Sequence, residues 1–167
     1  MALDLLTPVS DVHRRDIIVS DTNMVDPDHA DHVKAGEWIG LDSNGQAQAA
    51  GEDMTTSPVA GEGPFYQVFS QKGDSAAQAL GKITIIMSND YEAETDMYVK
   101  DISWEVGDEL TLEEGADTGM SGTGDDSRVC FAQAATTETV VAVVTMTPSV
   151  TPSGKLRFHR VSPYTKK

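Results

Sequence analysis

From Gly36 onward the chain alternates short apolar or aromatic runs with turn-forming residues, and this spacing constrains the fold more than any other feature. The runs are too short for amphipathic helices, and several are rich in β-branched and aromatic residues. Gly, Pro, Asn and Asp separate them, as they separate the strands of sandwiches and barrels. The pattern therefore predicts a mainly β fold, either a β-sandwich or a β-tulip or barrel-like domain.

Nine segments carry the strand prediction. They are residues 37–41, 46–50, 65–69, 82–87, 96–103, 109–112, 128–132, 138–146 and 156–161. Asn44-Gly45 predicts a tight hairpin turn between the first two, because both residues tolerate the positive φ angles of such turns. Residues 74–80 are the one helix-like segment, with Gly81 placed to end it. We expect helix in at most about a tenth of the residues.

Residues 1–33 differ in composition from the rest of the chain. After Val19 they are dominated by Asp, His, Asn and Pro, without helical or strand periodicity, and Asp26-Pro27 predicts a turn. We expect an extended N-terminal arm over residues 1–33, ordered by contacts outside its own domain, and a β-rich domain over residues 34–167. Ile17, Ile18 and Val19 form the apolar stretch of the arm, as either an anchor on a partner or an edge strand of the domain's own sheet.

The formal charge of -15 is unevenly distributed. Nine acidic residues and no Lys or Arg lie between residues 101 and 126, whereas residues 155–167 contain five basic residues and no acid. So acidic a surface repels phosphate backbones, which predicts no nucleic-acid partner. The basic C-terminal segment either orients the molecule on an acidic partner or forms a solvated strand and tail.

Compartment and membrane predictions follow from what the sequence contains. The longest apolar run, residues 139–145, falls far short of the roughly 20 residues of a membrane-spanning helix, so no membrane partner is expected. The N-terminus lacks the order of charged and apolar residues typical of a signal peptide. The single cysteine, Cys130, excludes an internal disulfide framework and indicates a reducing compartment. Its apolar neighbours predict a buried, inert thiol.

Three short patterns could carry chemistry, and for each we favour a structural interpretation. Asp117-Thr118-Gly119 matches the aspartic protease triplet, but glutamates precede it where a buried hydrophobic strand is needed. A calcium loop at Asp125 and Asp126 lacks the alternating ligands of an EF-hand. Five residues of the arm could bind zinc or a similar ion, but their spacing is weakly specific and we favour a solvated turn. They are Asp26, Asp28, His29, Asp31 and His32. We predict no enzyme activity, catalytic residue, cofactor or metal.

Four strings resemble, in their order and spacing, the head decoration or capsid cement proteins of tailed bacteriophages. They are GEWIGLDSNGQAQAAG, PFYQVFSQKGDSAAQALGKITII, VGDELTL and GKLRFHRVSP, and they span about residues 36–161. The resemblance implies a β domain on the capsid exterior that bridges neighbouring major capsid protein subunits and stabilises the capsid. It also implies a homo-oligomer, such as a dimer or trimer, that is made in the bacterial host cytoplasm and has no active site.

On this reading residues 34–167 form a β-rich capsid-binding domain of a structural virion protein. The predicted capsid contacts are Ile17, Ile18, Val19, Arg157, Arg160, Lys166 and Lys167. Two alternatives remain, the first of which is a phage tail-tube or tail-completion protein. The second, a carbohydrate-binding β-sandwich module, needs exposed aromatic platforms. Candidates for them are Trp38, Tyr66, Tyr91, Tyr98, Trp104 and Tyr164.

Overall fold

The computed structural model describes residues 3–26, 32–42, 44–49, 66–70, 81–100, 102–114 and 129–167. The mainly β prediction is confirmed, because strands make up 51% of the described part of the chain. Within the described residues, helix is limited to two single 3-10 turns, Val9–Asp11 and Thr22–Val25. The predicted helix-like segment, residues 74–80, lies outside the described residues.

Eleven strands are found in the described part of the chain. They are β1 (Leu3–Leu5), β2 (Arg14–Ile18), β3 (Trp38–Leu41), β4 (Ala47–Ala49), β5 (Tyr66–Ser70), β6 (Lys82–Ile86), β7 (Tyr91–Thr95), β8 (Glu109–Glu114), β9 (Val129–Gln133), β10 (Thr139–Met146) and β11 (Leu156–Thr165). They form two antiparallel sheets packed together, consistent with a β-sandwich. One sheet has the order β1-β7-β11-β10-β8-β9 and the other the order β2-β6-β5-β3-β4.

The five-stranded sheet curls back on itself. A parallel bridge joins Val19, just after β2, to Ala47 at the start of β4, and these are the two edge strands of the sheet. The Ser20 amide donates to the Ala47 carbonyl at 2.8 Å across the same junction. The sheet therefore has a partly closed, barrel-like form, and it encloses a core of its own.

Two hydrophobic clusters are formed by the described residues. The first lies between the sheets and contains Trp38, Phe131 and Phe158, with ring centroids 5.4 Å apart for Trp38–Phe131 and 4.7 Å for Phe131–Phe158. The second lies on the other face of the five-stranded sheet. It consists of Ile17, Val19, Met24, Val33, Ile39, Ala47, Val68, Ile83 and Ile85. Side chains alternate along a strand, so Trp38 faces the first cluster and its neighbour Ile39 the second.

The predicted hairpin over residues 37–50 is confirmed by β3 and β4. Gly45 has a φ of 74°, and the Asp42 carboxylate accepts the amides of Asn44 and Gln46 at 2.8 Å each. An Asx-type turn of this kind fixes the register in which Leu41 lies opposite Ala47.

The predicted strand over residues 96–103 is misplaced. The strand in this region is β7, which ends where the Thr95 hydroxyl accepts the Met97 amide at 3.0 Å. Beyond it, Tyr98 forms only an isolated bridge with Phe131, and the Trp104 indole donates to the Val99 carbonyl at 3.0 Å. The acidic residues of β7 hide the pattern of a strand, because they lie on its outer face and its buried residues include a small alanine.

The N-terminal segment supplies an edge strand to each sheet, which differs from the expected extended arm over residues 1–33. β1 pairs with β7, and β2 pairs with β6 over its full length. The sequence leaves Ile17, Ile18 and Val19 as either an anchor on a partner or an edge strand. In the structure Ile17 and Ile18 belong to the edge strand β2, and Val19 follows it directly. The polar composition hides this because most of the outward residues of both strands are charged, whereas Leu3 and Ile17 enter the cores. The capsid-binding role assigned to residues 34–167 stays a prediction.

Candidate protein-binding surface

Of the three predicted arm anchors, only Ile18 presents its side chain to solvent. Ile17 and Val19 are 7% and 5% exposed and belong to the cluster enclosed by the five-stranded sheet. Ile18 points to the opposite face of β2 and is 52% exposed. A partner can therefore contact Ile18 without disturbing the fold, whereas contact with its two neighbours requires the core to open.

Arg157 is held by the outer face of the six-stranded sheet. Its guanidinium contacts the Glu94 carboxylate at 2.6 Å, and Ser153 donates to the other carboxylate oxygen at 2.5 Å. The Ser153 hydrogen bond, together with the Arg157 charge and hydrogen bond, lowers the pKa of Glu94, although burial opposes the change. Lys155 lies beside this group and contacts Asp4 of β1 at 2.7 Å. These contacts connect β11 to β7 and β1. The charge of Arg157 is therefore paired with a carboxylate of its own domain.

Arg160 lies in the interior, at 2% exposure. Its guanidinium donates to the Val141 carbonyl and lies 5.1 Å from the centroid of the Trp38 ring, a cation–π geometry. It therefore links β11 to β10 and to the opposite sheet. A contact between Arg160 and a capsid subunit, as predicted from the sequence, is incompatible with this position.

The last two predicted contacts, Lys166 and Lys167, also differ in whether they face the domain or solvent. Lys166 donates to the Ala134 carbonyl at 2.7 Å and lies 3.3 Å from Glu109. Tyr164 donates to the same carboxylate at 2.6 Å, and this hydrogen bond, followed by that of Lys166, lowers the pKa of Glu109. Lys167, at the end of the printed sequence, is exposed. Of the seven predicted contact residues, Ile18 and Lys167 thus have their side chains most open to a partner.

A groove next to β2 gathers basic side chains that the sequence analysis did not single out. It has a volume of about 680 Å³ and is lined on one side by His13, Arg14 and Arg15. Its other lining residues are Ser10, Asp11, Val12, Asp16 and Thr84. Arg14 stacks over the Phe69 ring at 4.7 Å, and neither arginine has an ion pair in the structure as described. We call this feature the β2 groove. The signal in the sequence was a run of basic residues in an otherwise acidic N-terminal segment.

A second groove, of about 300 Å³, lies between residues 98–100 and 102–104 on one side and the turn after β10 on the other. Tyr98 and Trp104 meet edge to face in it, with ring centroids 6.0 Å apart. Its other lining residues are Lys100, Ile102, Ser103, Thr147, Pro148 and Ser149. Tyr98 is only 8% exposed, so it offers no open ring face to a sugar. Trp38 and Tyr91, two other candidate platforms, lie in the core.

Cys130 is buried in β9, as the sequence predicts. Burial raises the pKa of its thiol to about 12, and the nearby Glu113 carboxylate adds to the effect. The thiolate form is therefore scarce at neutral pH, and the side chain contributes to the fold by packing.

Several candidate sites fall outside the described residues. These include the Asp117-Thr118-Gly119 triplet, the calcium-loop residues Asp125 and Asp126, and Asp28, His29 and Asp31 of the zinc candidate. Within the ranges the structure does describe, no group of three or more His, Cys, Asp or Glu residues is arranged to hold a metal ion. None of the helices in those same ranges is long and apolar enough to cross a membrane.

Comparisons of the chain with protein-family models, with curated proteins and with solved structures gave no match.

Proposed function

We propose that this chain is a structural virion protein that binds the outside of an assembled phage capsid and stabilises it by bridging major capsid protein subunits. In this role it acts without catalysis, as a homo-oligomer made in the bacterial cytoplasm. The observation that carries the proposal is the order and spacing of four strings between residues 36 and 161 that resemble capsid cement proteins.

The positions of those strings in the fold support the proposal. The first string covers the β3–β4 hairpin and the second contains β5 and β6, all in the five-stranded sheet. The other two run into β8 and β11 of the six-stranded sheet. The similar segments therefore contribute strands to both sheets, which is what a resemblance of the whole domain requires.

The surface chemistry is compatible with a protein present at high copy number on a particle. A net charge of -15 keeps neighbouring copies apart in solution and favours solubility. Most of the basic residues of β11 and its flanks contact groups within the domain, whereas those of the β2 groove face solvent. The groove accordingly offers two exposed arginines to an acidic neighbour, beside Asp11 and Asp16 of the same lining.

Stabilisation by binding needs only a modest interface. A protein that binds the assembled state and not its separated subunits adds free energy to assembly at every occupied site. That contribution is about 2.7 kcal/mol per site when the free protein is at about one hundred times its Kd. Repeated over a shell, such contributions raise the temperature at which the shell comes apart.

The direct test is to add the purified full-length protein to capsids that lack it and to measure co-sedimentation and capsid thermal stability. We expect saturable occupancy and a higher disruption temperature. A protein that stays in the supernatant at all concentrations contradicts the proposed function.

A matched pair of variants locates the contact. Ile18→Asp changes the exposed apolar residue of β2, and Leu6→Asp changes an exposed apolar residue beside β1 in the other sheet. We expect weaker occupancy for Ile18→Asp than for Leu6→Asp. Equal occupancy for the two variants removes Ile18 from the interface and leaves the remainder of the proposal in place.

Fractionation of phage particles distinguishes a capsid decoration protein from a tail protein. Heads and tails purified from one lysate, each analysed by mass spectrometry, contain the protein in the head fraction if it decorates the capsid. Its presence in tails alone favours a tail-tube or tail-completion protein.

A further inference from the structure

Among the residues that the structure describes, the side of β2 that faces away from β6 is an open strand edge. β2 pairs with β6 in an antiparallel ladder, in which the residues that bond to the neighbouring strand alternate with residues that point away. The Met87 amide donates to the His13 carbonyl at 2.8 Å, and the Val19 amide donates to the Gly81 carbonyl at 2.9 Å. The odd-numbered residues from 13 to 19 therefore face β6.

It follows that the backbone groups of Arg14, Asp16 and Ile18 point outward. The Ser20 amide continues this outward series and bonds to the Ala47 carbonyl, which marks where β4 begins to cover the edge. Between residues 14 and 18, none of the described strands pairs with β2 on this side. Three consecutive outward residues are thus available to hydrogen-bond with an added strand.

The side chains along this edge are exposed. Arg14, Arg15, Asp16 and Ile18 all reach solvent, and Ile18 is the most apolar of them. Charged residues on an edge strand prevent indiscriminate pairing. A second basic strand is repelled there, and a purely apolar strand would leave the charges poorly solvated. A strand with carboxylates is the exception, because opposite charges on facing strands attract.

The pattern of side chains on the edge specifies the partner further. Residues directly opposite each other in an antiparallel pair share a face of the sheet. A strand that pairs with β2 therefore places one residue opposite Arg14 and another, four positions earlier in its own sequence, opposite Ile18. Between them Asp16 accepts a hydrogen bond from Thr84 at 2.8 Å. The matching partner carries an apolar residue followed four positions later by a carboxylate.

We propose that the open edge of β2 binds an extended, carboxylate-bearing segment of a partner protein as an added antiparallel strand, with Arg14 and Arg15 selecting its charge. The identity of that partner as a capsid protein rests on the proposed function. The strand-binding chemistry can be tested with a peptide, so that the two can fail separately.

The probe is a threonine-rich peptide of about ten residues, in which a glutamate follows a valine by four positions. Amide hydrogen exchange of the full-length protein is measured by NMR with and without about 1 mM peptide. For a Kd of about 0.1 mM we expect exchange at Arg14, Asp16 and Ile18 to slow by about tenfold, since exchange then occurs only from the free edge. Arg15 and Ile17, already bonded to β6, change less. Unchanged exchange at the three outward amides overturns the inference.

A proline variant tests the backbone contact. Ile18→Pro removes an outward N–H without removing a bond to β6, and edge strands tolerate proline at such positions. Ile18→Ala is its matched control, since it shortens the side chain and keeps the N–H. We expect protection of Arg14 and Asp16 to fall more for Ile18→Pro than for Ile18→Ala. Equal protection in the two variants contradicts pairing through the backbone.

A charge exchange tests the selectivity and does not depend on the proline variant folding. Reversing both arginines, Arg14→Glu with Arg15→Glu, is expected to weaken binding of the glutamate peptide by at least about tenfold. The same variant is expected to bind a peptide with lysine in place of glutamate more tightly than the wild type does. Lys34→Glu with Lys100→Glu, which reverses two other exposed cations, controls for net charge. Loss of binding without this rescue, or an equal loss in the control, overturns the assignment of Arg14 and Arg15.

Capsid binding separates the inference from the proposed function. If peptide protection occurs but capsids never bind the protein, the proposed function fails and the strand-binding edge stands. If capsids bind Ile18→Pro and the double arginine variant as tightly as the wild type, and the peptide gives no protection, the inference fails and the proposed function stands.

Discussion

Replacing Tyr91 with phenylalanine removes a hydroxyl that joins the two sheets. Tyr91 belongs to β7 of the six-stranded sheet, and its hydroxyl donates to the Gln67 side-chain carbonyl of β5 at 2.7 Å. The side-chain amide nitrogen of Gln67 in turn donates to the Gly36 carbonyl at 3.0 Å. Burial raises the pKa of Tyr91, against a lowering by Arg160, so the hydroxyl remains protonated and able to donate.

The size of the effect follows from the burial of both partners. Tyr91 and Gln67 are almost fully buried, so Tyr91→Phe leaves the Gln67 carbonyl without its donor and without access to bulk water. An unsatisfied buried group of this kind costs about 1–3 kcal/mol of unfolding free energy. For a domain of this length, each kcal/mol lowers the melting temperature by about 2–4 °C, so we expect a decrease of about 4–8 °C for a loss near 2 kcal/mol.

Chemical and thermal unfolding of the purified variants measure this cost. Tyr164→Phe is the matched control, because Tyr164 also donates to a side-chain oxygen, that of Glu109 at 2.6 Å, but does so in an exposed position. Water can replace that bond, so the control should lose less stability. If Tyr91→Phe loses no more than Tyr164→Phe, the inter-sheet hydrogen bond does not have the role we give it.

Two further predictions concern titratable groups. The pKa of Glu94 is lowered in the folded state, so its ionised form stabilises the fold above the ordinary value of 4.5, and this stability is lost as the pH falls through the lowered pKa. Glu94→Gln should therefore be less stable than wild type at pH 7, with the difference shrinking in acid; a pH-independent difference contradicts this. The Cys130 thiol, with a pKa of about 12, should react with a thiol reagent at neutral pH only after denaturation, as a colorimetric thiol assay can show. Rapid reaction of the native protein refutes its burial.

Much of the β architecture follows from local sequence. The hairpin of β3 and β4 is specified by Asn44-Gly45 with Asp42 beside it, and β10 by its run of valines. β7 is harder to predict from the sequence. Its glutamates alternate with alanine and threonine, so the segment resembles a polar loop. The pairing of β1 and β2 depends on residues 64 to 92 positions away, from Ile18↔Lys82 to Leu3↔Thr95, and no local pattern reports such partners.

The contact surface was less predictable than the fold. The basic residues of β11 and its flanks are visible in the sequence, but Arg157 contacts Glu94 of the neighbouring β7 and Lys166 contacts Glu109 of β8. Arg160 turns inward against Trp38. Strand alternation assigns Ile18 to the surface only once the register with β6 is known. Charge in a sequence therefore identifies cations, whereas the sheet decides which of them face solvent.

Deletion of the N-terminal segment cannot isolate its contacts with a partner. Deleting residues 1–33 removes β1 and β2 and takes Ile17, Val19 and Met24 out of the enclosed core. Such a truncation alters the fold as well as any contact. Point changes on the outer edge of β2, which leave the core in place, separate the two effects.

The central claim is tested most directly by a cryo-electron microscopy reconstruction of capsids incubated with the full-length protein. We predict additional density on the outer surface, of the size of this two-sheet domain, seated where neighbouring major capsid protein subunits meet. A reconstruction at saturating protein with an outer surface identical to that of the untreated capsid contradicts the claim.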